Sequence, residues 1–331
     1  MSIRVVSYNV LVPIYADQPD FYIHSDPRYL KTNYRWNLIK SQLEQEITNH
    51  QNTIICLQEL SRTLLSNFEE LFNKYNYTLH YCLYGGPHND YMGVGIAVPA
   101  SVRVNKRSMI KIGSYIRSMT RPRGAAANII SQIRSLCDRL ARKPFKQSID
   151  PWEIAMARNN TLVCLHVTFN GKSFCIGTYH MPCLYDTPDV MIIHVSVAKD
   201  LMFHLADGQD FIFTGDFNIE PHNVCYRILT RQDFSDYRFP ASNSYEISYR
   251  PHTKQILKSA YREKNNKEPA YTNYTHPSGM PLFCETIDYI FFNGRIQVQN
   301  VLKLPDEATG KSYPDETHPS DHIMIAATLL L

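Results

Sequence analysis

The sequence predicts an α/β protein, a four-layer α/β sandwich in which two mixed β-sheets pack face to face with helices outside. Three observations predict it. Strand-like runs with β-branched or aromatic centres alternate with amphipathic runs in the order β-α-β-α, then come hairpin-like strands, a strand–helix–strand unit and further strands. The 331 residues are 44% hydrophobic and 20% charged, which is enough apolar material for a sizeable core. No internal repeat or composition break divides the chain, so residues 1–331 read as one domain with a basic insert at about 101–150.

The strand candidates, in order, are Ile3–Val10, Thr53–Leu57, Thr78–Tyr84, Gly93–Val98, Thr161–Phe169, Ser173–Tyr179, Phe211–Thr214, Thr286–Phe292 and Ile323–Leu330. Four helices are expected between them. In Asn33–Thr48, Trp36, Ile39, Leu43 and Ile47 recur at three- and four-residue steps and make one apolar face. Ser61–Tyr75 starts on a Ser cap and repeats Leu64, Leu65, Phe68, Leu71 and Phe72. Pro188–Leu205 has Pro in its first turn and carries Met191, Val195, Ala198, Leu201 and Met202. Gly124–Arg142 reads as a basic amphipathic helix, and polar Ser235–Pro269 as a long loop with some helix.

Charge is uneven. Residues 101–150 hold twelve Lys/Arg against Asp138 and Asp150, a local +10, while the net charge of +3 leaves −7 on the rest. A basic lobe on an acidic body suits a polyanion. Arg117, Arg121 and Arg123 in that lobe, with Arg158 and Asn160 just beyond it, are the candidate substrate-binding residues. The eight cysteines show no C-x-x-C spacing, and Cys56, Cys164 and Cys175 sit inside apolar runs, so they read as reduced thiols of a cytoplasmic or nuclear protein. The chain opens directly on a strand, leaving no room for a signal peptide, and no apolar run reaches the length needed to span a bilayer.

Short polar motifs close the apolar runs: Ser7-Tyr8-Asn9, Leu57-Gln58-Glu59, Thr178-Tyr179-His180, Gly215-Asp216-Phe217-Asn218, Ile287-Asp288-Tyr289 and Ser320-Asp321-His322. Each alone has an ordinary reading, as a turn residue or a helix-start carboxylate. Together they describe a polar mouth at one end of a sheet sandwich. Cleaving a phosphate ester takes an activated water and positive groups for the non-bridging oxygens. Glu59 is a hard oxygen ligand suited to Mg²⁺ (Mn²⁺ as the alternative ion), and Asn9 offers an amide oxygen beside it. Asp216 and Asn218 flank Phe217 on one side, where they can orient a water and hold a phosphate oxygen. Asp321 adds a carboxylate, and His322 and His180 can donate to phosphate. Asp288 can accept from the other ring nitrogen of His322 and fix its tautomer. The remaining histidines, including His24, His88 and His194, read as core, surface or loop.

The ordered set Tyr8-Asn9, Leu57-Gln58-Glu59, His180, Gly215-Asp216-Phe217-Asn218, Ile287-Asp288-Tyr289-Ile290 and Pro319-Ser320-Asp321-His322 resembles the endonuclease/exonuclease/phosphatase superfamily across nearly the whole chain. Pro221, Tyr226 and Leu229 after the Asp-Phe-Asn motif, and Glu268-Pro269-Ala270-Tyr271-Thr272-Asn273-Tyr274, are similar to its deadenylase, nocturnin, Angel and 2′,5′-phosphodiesterase branch. The resemblance implies a Mg²⁺-dependent phosphoesterase. Glu59 would bind the metal with Asn9 and Asp321 nearby, Asp216 would orient or deprotonate the water, and Asn218 would contact phosphate. His180 and His322 would stabilise the transition state, with Asp288 behind His322. Gly85-Gly86-Pro87-His88-Asn89-Asp90-Tyr91-Met92-Gly93 departs from the branch's pattern on the base-binding side.

The expected function is a metal-dependent phosphodiesterase or nuclease acting on RNA, as a 3′-end-directed, deadenylase-like exoribonuclease on single strands. The alternative is a phosphatase or phosphodiesterase on RNA 3′ ends, 2′,5′-oligoadenylate or a small nucleotide. Lipid or inositol phosphate hydrolysis is disfavoured by the absence of a membrane-binding amphipathic stretch. A catalytically inactive RNA-binding module is disfavoured by the intact polar set.

Overall fold

The computed structural model describes residues 2–18, 20–124, 150–231 and 238–331. Two six-stranded mixed sheets form its centre. The first has the strand order Gln297–Val301, Ile325–Leu330, Ser2–Asn9, Thr53–Leu60, Gly93–Pro99, Tyr77–Leu83. The second has the order Lys258–Ser259, Asp288–Asn293, Phe211–Asp216, Lys172–His180, Thr161–Phe169, Arg103–Lys111. Helices Thr32–Asn49 and Arg62–Lys74 cover the outer face of the first sheet, where Ile39, Leu43, Phe68 and Phe72 meet Val6, Tyr8, Ile55 and Leu57. Helix Pro188–Ala206 covers the second, placing Val190, Ile193 and Met202 against Cys164, Cys175, Tyr179 and Phe213. The layers are therefore helix, sheet, sheet, helix, as the pattern of alternating strands and amphipathic helices requires.

Side chains on a strand alternate between faces, so each strand has one row facing the opposite sheet. Ile3 and Val5, Ile54 and Cys56, Phe174 and Ile176, Ile212, and Ile290 and Phe292 all join the core between the sheets. Continued along each strand, the same inward rows become polar: Ser7 and Asn9, Gln58, Thr178 and His180, Thr214 and Asp216, and Asp288. One end of the interior is hydrocarbon; the other is hydrogen-bonding. Gln58 marks the changeover. Its amide nitrogen donates across the gap to Thr178 Oγ1 at 2.9 Å, tying the sheets together, and within its own sheet to Ser7 Oγ at 3.2 Å, all buried groups.

Several boundaries differ from expectation. Arg103–Lys111 is an edge strand paired antiparallel with Thr161–Phe169, and Ile112–Ser118 is a helix, so the start of the basic segment is part of the second sheet and its cover. Its alternation was masked by the charged residues that an edge strand carries on its solvent side. The expected helix Gly124–Arg142 lies, apart from Gly124, outside the described residues. Strand Gln297–Val301 and helix Pro151–Ala157 were not anticipated, and Ser235–Pro269 contains the short elements Tyr245–Ile247, Lys258–Ser259 and Ala260–Asn265. The seven cysteines among the described residues are all free. No helix among them is long and apolar enough to cross a membrane.

Candidate active site

Strand register builds the centre of the site. In the second sheet, Asp216 lies opposite His180 on one side and opposite Asp288 on the other. That pairing brings the three last inward residues of neighbouring strands together. Gly215 makes the approach feasible: a Cβ there would lie 1.8 Å from Tyr179 O, and its φ of +150° is open to glycine. Phe217 then buries its ring edge-on against Phe213 and Phe291, with centroids 5.0 and 5.1 Å away. Driven into the helix side of the sheet, Phe217 leaves Asp216 and Asn218 on the cleft side.

Asp216 is the hub. Its Oδ2 accepts from Asn9 Nδ2 at 3.0 Å and lies 3.5 Å from His180 Nε2 and 3.6 Å from His322 Nε2; its Oδ1 accepts from the Asn218 backbone N–H at 2.9 Å. Burial raises its carboxyl above the usual range, against the opposing pull of His322 and His180. Behind His322, Asp288 Oδ2 accepts from Nδ1 at 2.8 Å and from Thr272 Oγ1 at 2.7 Å. Burial alone would depress the His322 imidazole, but the carboxylates of Asp288 and Asp216 overcome it and hold it well above its ordinary value. The orientation expected for His322 is thus present, with Nε2 left facing Asp216.

Glu59 comes from the first sheet. A bulge between Gln58 and Leu60 interrupts the pairing with Gly93–Pro99, and Glu59 takes φ +58°, a strained backbone for a residue with a Cβ. The bulge turns the side chain into the cleft, where Oε1 accepts from Asn9 Nδ2 at 3.1 Å and Oε2 from Val12 N–H at 2.8 Å. Asn9 departs from expectation. Its amide oxygen accepts from Leu11 N–H at 3.0 Å, so what it presents to the site is the NH₂ group, bridging Glu59 and Asp216 across the two sheets. An amide flipped the other way would point its oxygen at two carboxylates. In this arrangement Asn9 turns a donor toward the two carboxylates, where the sequence led us to expect its oxygen. Asp321 is partly exposed and accepts from Tyr22 OH at 3.1 Å. Asn218 gives one amide hydrogen to Met181 O at 2.9 Å, leaving the other for a ligand.

These groups open onto a cleft of about 1030 Å³. Arg158 and Asn160 line it, Asn160 also bonding His180 O at 2.8 Å. Arg117, Arg121 and Arg123 do not line it. Arg117 reaches Met156 O, and Arg121 and Arg123 lie at the Thr120–Pro122 strand, whose partner is Tyr245–Ile247, with Arg123 bonded to Tyr245 O and Ser242 O. The charge run pointed to those three because composition reports sign and not direction. His88, read as a loop histidine, does line the cleft. Tyr22, Arg35, Thr272 and Asn273 were missed as well. Thr272 and Asn273 lie within the Tyr271–Tyr274 run, and Arg35 stands four residues before Ile39 on the buried face of its helix.

The donor set suits a hard divalent cation. Among the described residues, Asp216, Asp288 and His322 bring one ligand atom each within 4.8 Å of one another, a cluster able to hold a metal ion. Within that cluster Asp288 and the Nδ1 of His322 are also bonded to each other at 2.8 Å. Polar atoms buried on the cleft wall without partners, His180 Nδ1 and Asn273 Oδ1, mark it as a surface suited to a polar ligand.

Comparison with known proteins agrees with this geometry. Mouse (Mus musculus) 2′,5′-phosphodiesterase 12 is 27% identical over 366 residues, covering 99% of this chain and 51% of the relative. Drosophila melanogaster nocturnin is 23% identical over 336 residues, covering 98% of this chain and 46% of the relative. The chain thus spans about half the length of the curated relatives it matches. A solved structure of ANGEL2, described as a 2′,3′-cyclic phosphatase in complex with adenosine-2′,3′-vanadate, superposes with a TM-score of 0.69 at 18% identity, covering 99% of this chain and 95% of that one. The human nocturnin catalytic domain with bound sulfate gives 0.62 at 18% identity, covering 99% and 93%. At these identities the structural likeness speaks to fold. Residues 6–322, which include every member of the polar set described above, match the family profile, and the chain belongs to the endonuclease/exonuclease/phosphatase family.

Proposed function

We propose that the chain is a divalent-metal-dependent phosphodiesterase that hydrolyses phosphate esters in RNA, working from the 3′ end of a single strand. The observation that carries the reading is Asp216, a buried carboxylate set between two imidazoles with a second carboxylate, Glu59, one amide away. Glu59 and Asp321 would hold Mg²⁺, with Mn²⁺ as substitute; the ion would supply charge for a phosphate oxygen and lower the pKa of water. Asp216 orients the attacking water and takes its proton, helped by a carboxyl that burial has made more basic. His322, held protonated by Asp288, and His180 donate to the phosphate as charge builds on it. The free amide hydrogen of Asn218 binds a phosphate oxygen, and Arg158 and Asn160 hold the adjoining nucleotide.

A second reading concerns the linkage. The most extensive sequence similarity reported above is to a protein named for 2′,5′-phosphodiester cleavage, and the ANGEL2 structure is described as a 2′,3′-cyclic phosphatase. One panel separates these: 5′-labelled single-stranded RNA ending in 3′-OH, the same RNA ending in 2′,3′-cyclic phosphate, and 2′,5′-linked oligoadenylate, each with Mg²⁺ and with EDTA. Progressive shortening from the 3′ end supports the main reading. Loss of only the terminal phosphate, or turnover confined to the 2′,5′-linked substrate, replaces it with the corresponding alternative. If wild type matches Asp216→Ala on all three, the enzyme reading is wrong.

A further inference from the structure

Arg35 is the largest charged side chain in the deep interior. It is 0% exposed, and among the described residues no carboxylate lies within ion-pair distance of it. Its bonds go to carbonyl oxygens: Nε donates to Pro319 O at 2.5 Å, and Nη2 to Val10 O and Leu11 O, both at 2.6 Å. Nη1 has no partner. A guanidinium without a carboxylate is an expensive thing to bury, so its position calls for a reason.

The three carbonyls belong to two segments from opposite ends of the chain. Val10 and Leu11 leave the first strand directly after Asn9; Leu11 N–H orients the Asn9 amide, and Val12 N–H holds Glu59. Pro319 precedes Ser320, Asp321 and His322, and Ser320 Oγ donates to Asn9 O at 2.8 Å. One rigid fork therefore fixes the backbone on which Glu59 leans to the backbone that carries Asp321 and His322. Its positive charge is also felt by Asp321 and Glu59, and by the Tyr22 and Tyr8 hydroxyls. Tyr22, bonded to Asp321 Oδ2, is itself buried in the small cluster with Leu11, Ala16 and Leu30.

We propose that Arg35 is a positioning residue: from behind the cleft it clamps the Asn9–Val12 and Pro319–His322 segments together and, with its charge, offsets the repulsion between the Glu59 and Asp321 carboxylates, presetting that pair for a divalent cation. The proposal rests on the assignment of Glu59 and Asp321 to the metal. A lysine could keep the charge but not three carbonyls held in one plane, because its ammonium lacks the guanidinium fork. A methionine would keep bulk and lose both.

The test uses the full chain as wild type, Arg35→Lys and Arg35→Met. Mn²⁺ and Mg²⁺ binding is measured by titration calorimetry, alongside kcat and KM on a short single-stranded RNA per folded molecule. Outer partners of metal ligands typically govern affinity by about 10–100-fold. Arg35→Met is expected to lose about that much metal affinity and roughly 100-fold in kcat, with KM within about threefold, as misplacement of reacting groups produces. Arg35→Lys is expected to fall between. A merely structural role would lower the melting temperature while leaving metal affinity and kcat per folded molecule at wild-type values; that result overturns the proposal. If Arg35→Met does not fold, wild-type metal affinity in Arg35→Lys overturns it equally. A wild type that cleaves RNA but binds no metal removes the metal assignment and this proposal with it, whereas a wild type that binds metal and cleaves no RNA refutes only the substrate reading.

Discussion

Asp288→Asn tests the relay behind His322 with the least disturbance to shape. Asparagine can still accept, through its oxygen, from His322 Nδ1 and Thr272 Oγ1, which now meet at Asp288 Oδ2 at 2.8 and 2.7 Å. What it removes is the charge. At 2.8 Å two unit charges attract by about 6 kcal/mol at an effective dielectric of 20. Burial of the imidazole cancels part of this, and loss of one close carboxylate lowers a pKa by about 1–3 units, equivalent to roughly 1.4–4 kcal/mol. His322 in the variant should then titrate lower than in the wild type, with Asp216 still holding it up, and kcat near neutrality should drop about 10²–10³-fold, the usual consequence of losing one transition-state donor. The assay is single-turnover cleavage across the pH range, with the His322 ring followed by NMR. In the wild type a protonated His322 keeps the alkaline limb well above the ordinary histidine value; in Asp288→Asn that limb moves to lower pH. The same raised pKa stabilises the folded state at pH below the ordinary imidazole value, and this contribution is lost as pH rises through the raised one. Asp288→Asn should thus cost most stability in acid. A variant within threefold of wild-type kcat with an unmoved alkaline limb would refute the relay.

Phe217→Ala should destabilise by about 3–5 kcal/mol in urea denaturation, as expected for removing a buried ring, and should abolish activity by freeing Asp216 and Asn218. Gln58→Leu strands the Thr178 and Ser7 hydroxyls and should cost about 1–3 kcal/mol, whereas combining it with Ser7→Ala and Thr178→Val should recover most of the loss in the same melts. Arg158→Ala should raise KM for RNA about tenfold, more than a triple Arg117, Arg121, Arg123→Gln variant does; the reverse order would return substrate binding to the basic segment.

Much of this architecture was legible because period-two and period-3.6 patterns report which face is buried. The central strands have apolar rows on both faces for most of their length, and the edge strand Tyr77–Leu83 was legible from its single row Tyr77, Leu79, Tyr81 and Leu83. The strands that were missed, Arg103–Lys111 and Gln297–Val301, lie on sheet edges, where one row is charged or amide-rich and the alternation looks like a loop. The site was legible for the same reason in reverse: a polar residue breaking an inward row at a strand end has few structural uses. Asn9 is legible as a site residue, but which end of its amide faces the cleft depends on the Leu11 N–H, a backbone group that no side-chain pattern records. Arg35 escaped because its function lies in backbone carbonyls, which no side-chain pattern records. Arg121 and Arg123 do not line the cleft, because a run of charge gives no bearing toward it.

The inter-sheet core can also be regarded as a spacer. Asn9 and Glu59 stand on one sheet, and His180, Asp216 and Asp288 on the other, so the width of the hydrocarbon layer made by Val5, Cys56, Ile176, Ile212 and Ile290 sets how far apart they are held. Packed sheets stand about 10 Å apart, and an added methylene in a filled layer forces the walls to give. An enlarging substitution deep in that layer, such as Val5→Ile or Val5→Leu, would stretch the Asn9 bridge between Glu59 and Asp216 from a distance, reaching the reacting groups without altering one of them.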